Sequence, residues 1–285
     1  MQTIEKGTLY IVATPIGNLG DISQRAIEVL SQVDWVAAED TRHSQKLLQH
    51  LGVQVKLISL HDHNEKMRSE DLLVRLQAGE SGALISDAGT PLISDPGYHL
   101  VKLLRDHDVL VRPVPGASAM ISALSVAGLP TDRFSFEGFL PAKSQKRLNQ
   151  LQSLALETRT MVFYESPHRI LESLATLAQA LGSERTMMAG REMTKQFEEF
   201  VSGTISEVLG YFSRHSDKVR GEFVLVVSGA PEQQAAQASE WDRLINILLA
   251  QALPVKQISE IVSEYYQVKK NAVYPRVQDL KEMTL

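Results

Sequence analysis

Five short stretches of this sequence concentrate residue types that bind and orient small molecules. They are Thr14-Pro15-Ile16-Gly17-Asn18-Leu19-Gly20-Asp21, Glu39-Asp40-Thr41-Arg42-His43, His61-Asp62-His63-Asn64-Glu65, Ser86-Asp87-Ala88-Gly89-Thr90-Pro91 followed by Ser94-Asp95-Pro96-Gly97, and Pro115-Gly116-Ala117-Ser118-Ala119. Each comes directly after an apolar, strand-like run. Taken singly, each is also what a helix N-cap and a turn require, because Ser, Thr, Asp and Gly serve both purposes. Five in succession point to one cleft, since ligands of parallel α/β sheets sit at the carboxyl ends of the strands. Gly89, Gly97 and Gly116 permit close backbone approach and leave main-chain polar groups accessible. Such groups suit an adenosine, an amino group and a carboxylate.

The familiar phosphate cradles are missing. No two glycines are separated by one residue, so a G-x-G-x-x-G turn is impossible, and there is no G-x-x-x-x-G-K-[ST] loop, H-E-x-x-H or G-x-S-x-G. A cofactor without phosphate would need none of these. His61 and His63 flank Asp62 at a spacing that puts both rings on one side of an extended chain. No third and fourth ligand is evident nearby, so loop histidines held by hydrogen bonds, or a substrate contact, are favoured over a metal. Glu39-Asp40-Thr41-Arg42 reads either as an N-cap with a local ion pair, or as a group that orients a substrate or deprotonates an attacking hydroxyl.

Further along, Lys143, Lys146 and Arg147 cluster behind Leu140-Pro141-Ala142. They form either a solvated helix face or a loop that touches phosphates. Phe163-Tyr164-Glu165-Ser166-Pro167-His168-Arg169 and Arg191-Glu192-Met193-Thr194-Lys195 would serve equally as substrate platforms or as internal polar networks. Phe134, Phe136 and Phe139 are read as core or interface rather than as base-stacking groups.

The elements that must position these residues alternate along the first half of the chain. Strands are predicted at Thr8–Ala13, Trp35–Ala38, Val55–Leu60, Gly82–Ser86 and Val109–Val114. Helical periodicity falls at Gln24–Gln32, His43–Leu51, Glu65–Ala78 and Tyr98–His107. This pattern predicts a mostly parallel sheet covered by helices. The second half has strand candidates at Ser135–Phe139, Thr160–Tyr164, Arg185–Ala189, Phe197–Val201 and Glu222–Val227. Only some are separated by helices, which predicts a mixed sheet. We expect an α/β domain over 1–115, a second α/β domain over 116–231 and a helical tail over 240–285, with a joint at Pro113–Gly116 and a Gln- and Ala-rich linker at Ala230–Ser239. In the tail, Lys256–Tyr265 is an amphipathic helix, a second helix starts near Val268, and Pro275 is expected to end or kink it. Such a tail serves packing, a dimer contact or RNA binding.

Composition bounds the function. The 285 residues include 29 Lys and Arg against 34 Asp and Glu, a net charge of −5, with 44% apolar residues and no cysteine. A core of good size is possible, and disulfides, Cys-ligated metals and thiol nucleophiles are excluded. The longest uncharged stretch, Pro113–Thr131, carries Pro113, Pro115, Gly116, Gly128 and Pro130, which argues against a membrane span. Met1–Gly7 is short and polar, so no secretory leader is expected. Mild acidity excludes a uniformly basic nucleic-acid coat but allows a local basic groove.

The strings Tyr10-Ile-Val-Ala-Thr-Pro-Ile-Gly-Asn-Leu, Ala38-Glu-Asp-Thr-Arg-His, Ser86-Asp-Ala-Gly-Thr-Pro-Leu-Ile-Ser-Asp-Pro-Gly, Pro115-Gly-Ala-Ser-Ala, Gly138-Phe-Leu-Pro and Phe163-Tyr-Glu-Ser-Pro-His-Arg resemble the ribosomal RNA small subunit methyltransferase I family. The likeness runs from Leu9 to about Gly229 and more loosely through the tail. It implies the tetrapyrrole-methylase fold and methyl transfer from S-adenosylmethionine (SAM) to the ribose 2′-oxygen of a cytidine in the decoding region of small-subunit rRNA, by a cytoplasmic homodimer acting on the rRNA or the 30S subunit. Carried over by position, Pro15, Asp87, Ala88, Gly89, Thr90, Ser118 and Ala119 contact the cofactor, with Leu140, Ser166 and Glu222 as weaker candidates. A ribose hydroxyl needs a base or a charge that stabilises its alkoxide. Asp40, Glu39 and His61 are the candidate bases, and Arg42 or Lys195 would orient alkoxide or phosphate. Lys143, Lys146 and Arg147 would contact RNA. No metal is required. Three rivals stand beside this reading: a tetrapyrrole C-methyltransferase of the same fold, a non-catalytic RNA-binding assembly protein, and a metal-dependent hydrolase built on His61 and His63.

Overall fold

The computed structural model describes residues 4–283, with their side chains except those of 232–240 and 282–283. The backbone forms two compact units. One runs to Val126 and takes in Glu192–Glu199; the other holds Ala127–Arg191 and the chain from Phe200 onward. The division therefore falls after the helix Ala119–Val126, not at Pro113–Gly116.

The first unit contains β1 (Thr8–Val12), β2 (Trp35–Ala38), β3 (Lys56–Ser59), β4 (Gly82–Ile85) and β5 (Leu110–Val114), in the order β3-β2-β4-β1-β5. All neighbours are parallel. Alternation sends Tyr10, Val12, Val36, Ala38, Ala83 and Ile85 to one face, where they pack on Ala26, Val29 and Leu30 of α1 (Gln24–Leu30) and on Leu48 of α2 (Thr41–His50). Leu9, Trp35, Ala37 and Leu84 point the other way, onto Leu72 and Leu76 of α3 (Glu65–Gln77) and onto Leu100 and Leu104 of α4 (Tyr98–Asp106). Burial on both faces is why these strands read as nearly continuous apolar runs. Gly82 pairs with Trp35 across β4 and β2, and a β-carbon there would stand 2.2 Å from the indole. Helix α5 (Ala119–Val126) follows β5.

The second unit's sheet is mixed. It contains β6 (Phe134–Phe139), β7 (Thr160–Glu165), β8 (Thr186–Arg191), β9 (Glu199–Thr204) and β10 (Phe223–Val227), in the order β6-β7-β10-β8-β9. β6 and β7 are parallel, and β10 is antiparallel to both β7 and β8. Met161, Phe163, Met187, Ala189, Phe223 and Leu225 share one core with α6 (Ser144–Ser153), α7 (Ile170–Leu181) and α8 (Ile205–Arg214). Register shifts between Phe136 and Gly138, where Gly138 has a φ of 67°. The extra residue changes the parity of β6, so that Phe136 and Phe139 both meet Tyr164 edge-to-face. The core expectation fails for Phe134 and Phe139, which are exposed.

The tail holds three helices rather than two: α9 (Glu232–Ala250), α10 (Val255–Tyr265) and α11 (Lys270–Met283). Trp241 and Ile245, Ile258 and Val262, and Val273 and Val277 form their common core. The backbone is helical from Glu232, so the stretch expected as a linker is the start of α9; Gln and Ala are good helix formers. Pro275 neither ends nor starts α11, which runs through it. The missing N–H costs about 3 kcal/mol, and burying Val273 and Val277 offsets it at about 1.5–3 kcal/mol each. No helix among the described residues is long and apolar enough to cross a membrane.

Candidate active site

In the first unit, adjacent strands β4 and β1 send their connections in opposite directions: β1 leads to β2, beyond β4, while β4 leads to β5, beyond β1. A reversal of this kind opens a crevice above the strand ends. The loops there are stitched to one another. Thr14 N–H donates to Gly89 O at 2.8 Å, and Gly89 N–H returns to Thr14 O at 3.1 Å. Thr14 Oγ1 donates to Ser86 O at 3.1 Å, and Thr90 Oγ1 donates to Ala117 O at 3.2 Å. Gly89 holds a φ of 79°, and a β-carbon on Gly116 would stand 3.0 Å from that of Ala13. The backbone thus brings buried Pro15, the Asp87-Ala88-Gly89-Thr90 turn and half-buried Ser118 and Ala119 to the ends of three neighbouring strands, β4, β1 and β5.

The other half of the same edge, above β3, β2 and β4, is acidic. Asp40 is the N-cap of α2. Its Oδ1 accepts from the N–H groups of Arg42 at 2.8 Å and His43 at 3.4 Å, and Arg42 pairs with its Oδ2 at 3.3 Å. These bonds, the Arg42 side chain first, hold the Asp40 carboxyl below its ordinary value. The Asp40 N–H in turn donates to Asp87 Oδ1 at 3.3 Å. Burial first, then the charges of Asp87, Asp62 and Asp40, raise the Glu39 carboxyl, with His61 opposing. Asp95 is pushed up to about 6, by burial first and then by Glu39 and Asp87, while a hydrogen bond from Ser86 pulls the other way. His61 N–H donates to Asn64 Oδ1 at 2.9 Å, its Nδ1 is enclosed, and its ring meets His63 edge-to-face at 5.9 Å. Among the described residues no group of three or more metal-ligating side chains gathers.

Lys195 lies in the part of the chain between β8 and β9 that belongs to the first unit. Its Nζ donates to Glu192 Oε1 at 2.8 Å, and its stem covers Gly17. Glu192 and Thr194 hold φ values of 50° and 66°, conformations that side chains other than glycine rarely adopt.

The second unit gathers its own set at one sheet end. Phe223 pairs with Glu165, which sets Glu222 opposite Ser166. Arg169 joins Ser166 to Leu140: its Nε donates to Ser166 Oγ at 3.4 Å and its Nη1 to Leu140 O at 3.1 Å. Arg169 also pairs with buried Glu165 at 2.7 Å, and Glu165 accepts from Ser173 Oγ at 2.6 Å. This stretch is an internal polar network. Of the basic trio, Lys143 and Lys146 are exposed, but Arg147 is not. Its side chain is 3% exposed and binds Thr176 Oγ1 at 3.2 Å, Pro141 O at 3.4 Å and Glu172 at 3.2 Å. Arg147 fastens α6 to α7, which removes it from the expected RNA contact.

Residues 8–209 match the family of Tetrapyrrole (Corrin/Porphyrin) Methylases, and residues 235–281 match the RsmI C-terminal HTH domain. The ribosomal RNA small subunit methyltransferase I of Pseudomonas aeruginosa is 50% identical over 270 residues, which cover 94% of this chain and 95% of that one. Its counterpart in Pasteurella multocida is 48% identical over 268 residues, 94% and 95% of the two chains. The chain belongs to the ribosomal RNA small subunit methyltransferase I family.

Solved structures share the fold of this ribosomal RNA small subunit methyltransferase I member. Diphthine synthase superposes with a TM-score of 0.59 at 15% identity, covering 78% of this chain and 90% of that one. Uroporphyrin-III-C-methyltransferase from Thermus thermophilus gives 0.55 at 19%, covering 78% and 94%. Two polar residues of this family member, Asp95 and Ser86, stand in the strand-end stretches of the sequence but carry no role of their own there. Their signal was length: twelve residues, Ser86–Gly97, separate β4 from α4, where two to six are usual. Leu92 and Ser94 in that loop also hold φ values of 72° and 66°. Glu65, a third, is buried and caps α4, its Oε1 accepting from the N–H groups of Gly97, His99 and Leu100 at 3.0, 2.8 and 3.3 Å.

Proposed function

We propose that the chain transfers the methyl group of SAM to the ribose 2′-oxygen of a cytidine in the decoding region of small-subunit rRNA. The observation that carries this reading is identity near one half, over 94% of the chain, with relatives named ribosomal RNA small subunit methyltransferase I. The strand-end loops of the first unit support it. Main-chain turns at Pro15, Asp87–Thr90 and Ser118–Ala119 offer donors and acceptors to an adenosine and a methionine without a phosphate cradle. The carboxylates of Glu39, Asp62, Asp87 and Asp95 place negative charge beside them, which suits a sulfonium and an ammonium.

When bound, SAM supplies an already activated methyl, so the residues here need only align the acceptor oxygen, exclude water and take up its proton. In this reading Pro15, the Asp87–Thr90 turn, Ser118 and Ala119 hold the donor, with Leu140, Ser166 and Glu222 as second-unit candidates. Lys143 and Lys146 contact RNA phosphates, and Lys195 and Arg42 orient an alkoxide or phosphate. The protein works as a cytoplasmic homodimer. The test is to incubate 30S subunits and naked 16S rRNA, each from cells lacking this protein, with purified enzyme and methyl-labelled SAM. Label on one cytidine ribose is the expected result. No label on either RNA, or label entering an added precorrin instead, overturns the reading.

A further inference from the structure

We propose that Lys143, Lys146, Arg214, Lys218 and Arg220 form one surface across an end of the second unit's sheet, where they meet phosphates of the RNA strand. The assignment rests on the methyl-transfer reading above and deepens it. Sheet register carries the argument. β7 ends at Glu165, which pairs with Phe223 at the start of β10, and Phe223 pairs with Arg191 at the end of β8. β6 runs parallel to β7 and reaches the same end, with Phe139 opposite Tyr164. Lys143 and Lys146 follow β6, at the start of α6. Helix α8 begins at the far end, where the N–H groups of Ile205 and Ser206 donate to Arg185 O at 2.9 Å and Ser183 O at 3.1 Å. Its 10 residues return about 15 Å along the sheet, so Arg214, Lys218 and Arg220 arrive just before β10. Two strand spacings, about 10 Å, separate β6 from β10, a span that about three nucleotides of one strand cover at roughly 3.4 Å each.

Stability does not account for these charges. Lys143 is the N-cap of α6 and Lys146 lies in its first turn, with no side-chain cap and no acidic residue there. Cations at a helix N-terminus oppose its dipole. The dipole does favour Arg214 in the last turn of α8, but it fades within a turn and leaves Lys218 and Arg220 unexplained. Lys143, Lys146, Arg214 and Arg220 are exposed and enter no ion pair among the described residues. Glu165 and Glu172, at the same sheet end, are already matched by Arg169 and Arg147. The acids of the loop before β10 are Asp217 and Glu222. In a chain of net charge −5, positive charge is thus gathered at one end of one sheet.

The α8 side of the surface is built, not loose. The His215 ring stacks on Tyr211 at 4.3 Å, and its Nδ1 donates to Tyr211 O at 2.8 Å. Lys218 Nζ stands 4.9 Å from the centre of the Tyr211 ring and donates to its hydroxyl. Buried Arg191 donates through Nε to Arg220 O at 3.0 Å, which ties the loop to the end of β8. A lysine held in place in the free protein loses less side-chain entropy on meeting a phosphate. Tyr211 is engaged by His215 and Lys218, so the surface reads backbone charge and not base identity. Its cations are strung across neighbouring strand ends, which suits the regularly spaced charge of a nucleic-acid strand better than an acidic protein.

The test uses full-length protein carrying R214Q/R220Q, K218Q or R133E. Binding to 30S subunits and to naked 16S rRNA is measured across a salt series, with SAM affinity by calorimetry. Arg133 is exposed and precedes β6, at the opposite end of the same sheet, and R133E shifts the net charge as far as R214Q/R220Q does. R214Q/R220Q is expected to weaken binding to both RNAs about tenfold near 0.15 M salt and to lower the slope of log affinity against log salt by about 1.5. K218Q lowers that slope by about 0.7–0.9. R133E leaves affinity and slope close to wild type, and SAM affinity is unchanged in every variant. If K218Q disturbs the Tyr211 stack and melts early, R214Q/R220Q decides. A slope for R214Q/R220Q that coincides with wild type, or a loss no larger than that of R133E, overturns the surface. Weaker binding to 30S subunits with binding to naked rRNA unchanged also overturns it and gives the patch to a protein of the subunit. Wild-type protein that neither binds rRNA nor transfers a methyl group sinks the functional reading itself, whereas wild-type binding and transfer with R214Q/R220Q unimpaired sinks only this surface.

Discussion

A β-carbon on Gly17 would lie 2.5 Å from Cγ of Lys195, so the stem of that lysine occupies the space a side chain at position 17 would need. The loop after β1 and the segment carrying Lys195 are 178 positions apart in sequence yet shaped to each other. Gly17 also holds a φ of 153°, where a side chain is strained.

Gly17→Ala is therefore expected to destabilise the protein by about 1–3 kcal/mol and to lower turnover by displacing Lys195. Adding Lys195→Ala relieves the overlap, so the double variant is more stable than the sum of the singles predicts. Urea denaturation of the four proteins measures the coupling. Strict additivity would show that the two residues do not interfere.

Glu65→Ala removes the side chain that caps the start of α4 and leaves the N–H groups of Gly97, His99 and Leu100 without that acceptor. The expected loss is about 2–4 kcal/mol, with Glu65→Gln losing less because one carbonyl oxygen survives. Because Gly97 ends the loop that holds Asp95, methyl transfer falls in step with stability.

Arg147 and its neighbours separate packing from RNA contact. Arg147→Ala breaks three bonds inside the second unit and is expected to cost about 2–3 kcal/mol, with RNA affinity unchanged in the folded fraction. Lys143→Ala with Lys146→Ala leaves the melting curve alone. It lowers the slope of log affinity against log salt by about 1–2. Salt titrations of RNA binding distinguish the two outcomes.

Asp40 is expected to act through α2. Asp40→Asn keeps an oxygen that can cap the helix and retains turnover close to wild type. Asp40→Ala frays the start of α2 and reduces activity by less than the roughly 10²–10⁴-fold expected of a lost base. A kcat loss of that full size in Asp40→Asn would give the role of base to Asp40.

Asp95 also makes a prediction about stability. Its carboxyl lies at about 6 in the folded protein, above its ordinary 3.8, so the folded state holds a proton there that the unfolded chain has released. The stability this contributes is fully present below about pH 4 and is lost as pH rises through about 6. Asp95→Asn is therefore expected to match wild type at pH 4 and to exceed it at pH 8, by chemical denaturation at both pH values.

Much of the first unit was legible because its strands are buried on both faces, and runs such as Trp35–Ala38 and Gly82–Ile85 carry that imprint directly. The loops that follow were legible as a group, since turn and cap residues accumulate after strand after strand. What each residue does inside them was not. Asp40 as N-cap and Asp40 as base have the same local sequence, and only the direction of its hydrogen bonds separates them. Arg147 looks like its neighbours Lys143 and Lys146 until α7 is laid against α6. Phe139 reads as core or interface, and the bulge at Gly138, which the sequence does not announce, sets it beside Phe136 against Tyr164. The start of α9 reads as a linker by its polarity, yet Gln and Ala are good helix formers and the backbone there is helical.

The segment Glu192–Glu199 is translated about 65 residues after Val126, although it belongs to the same unit. At ordinary elongation rates of about 5–20 residues per second, a nascent chain waits about 3–13 s before Lys195 exists to cover Gly17. A chain cut after Val126 would thus correspond to a stage every newborn molecule passes through: five strands made, and one lysine still to come.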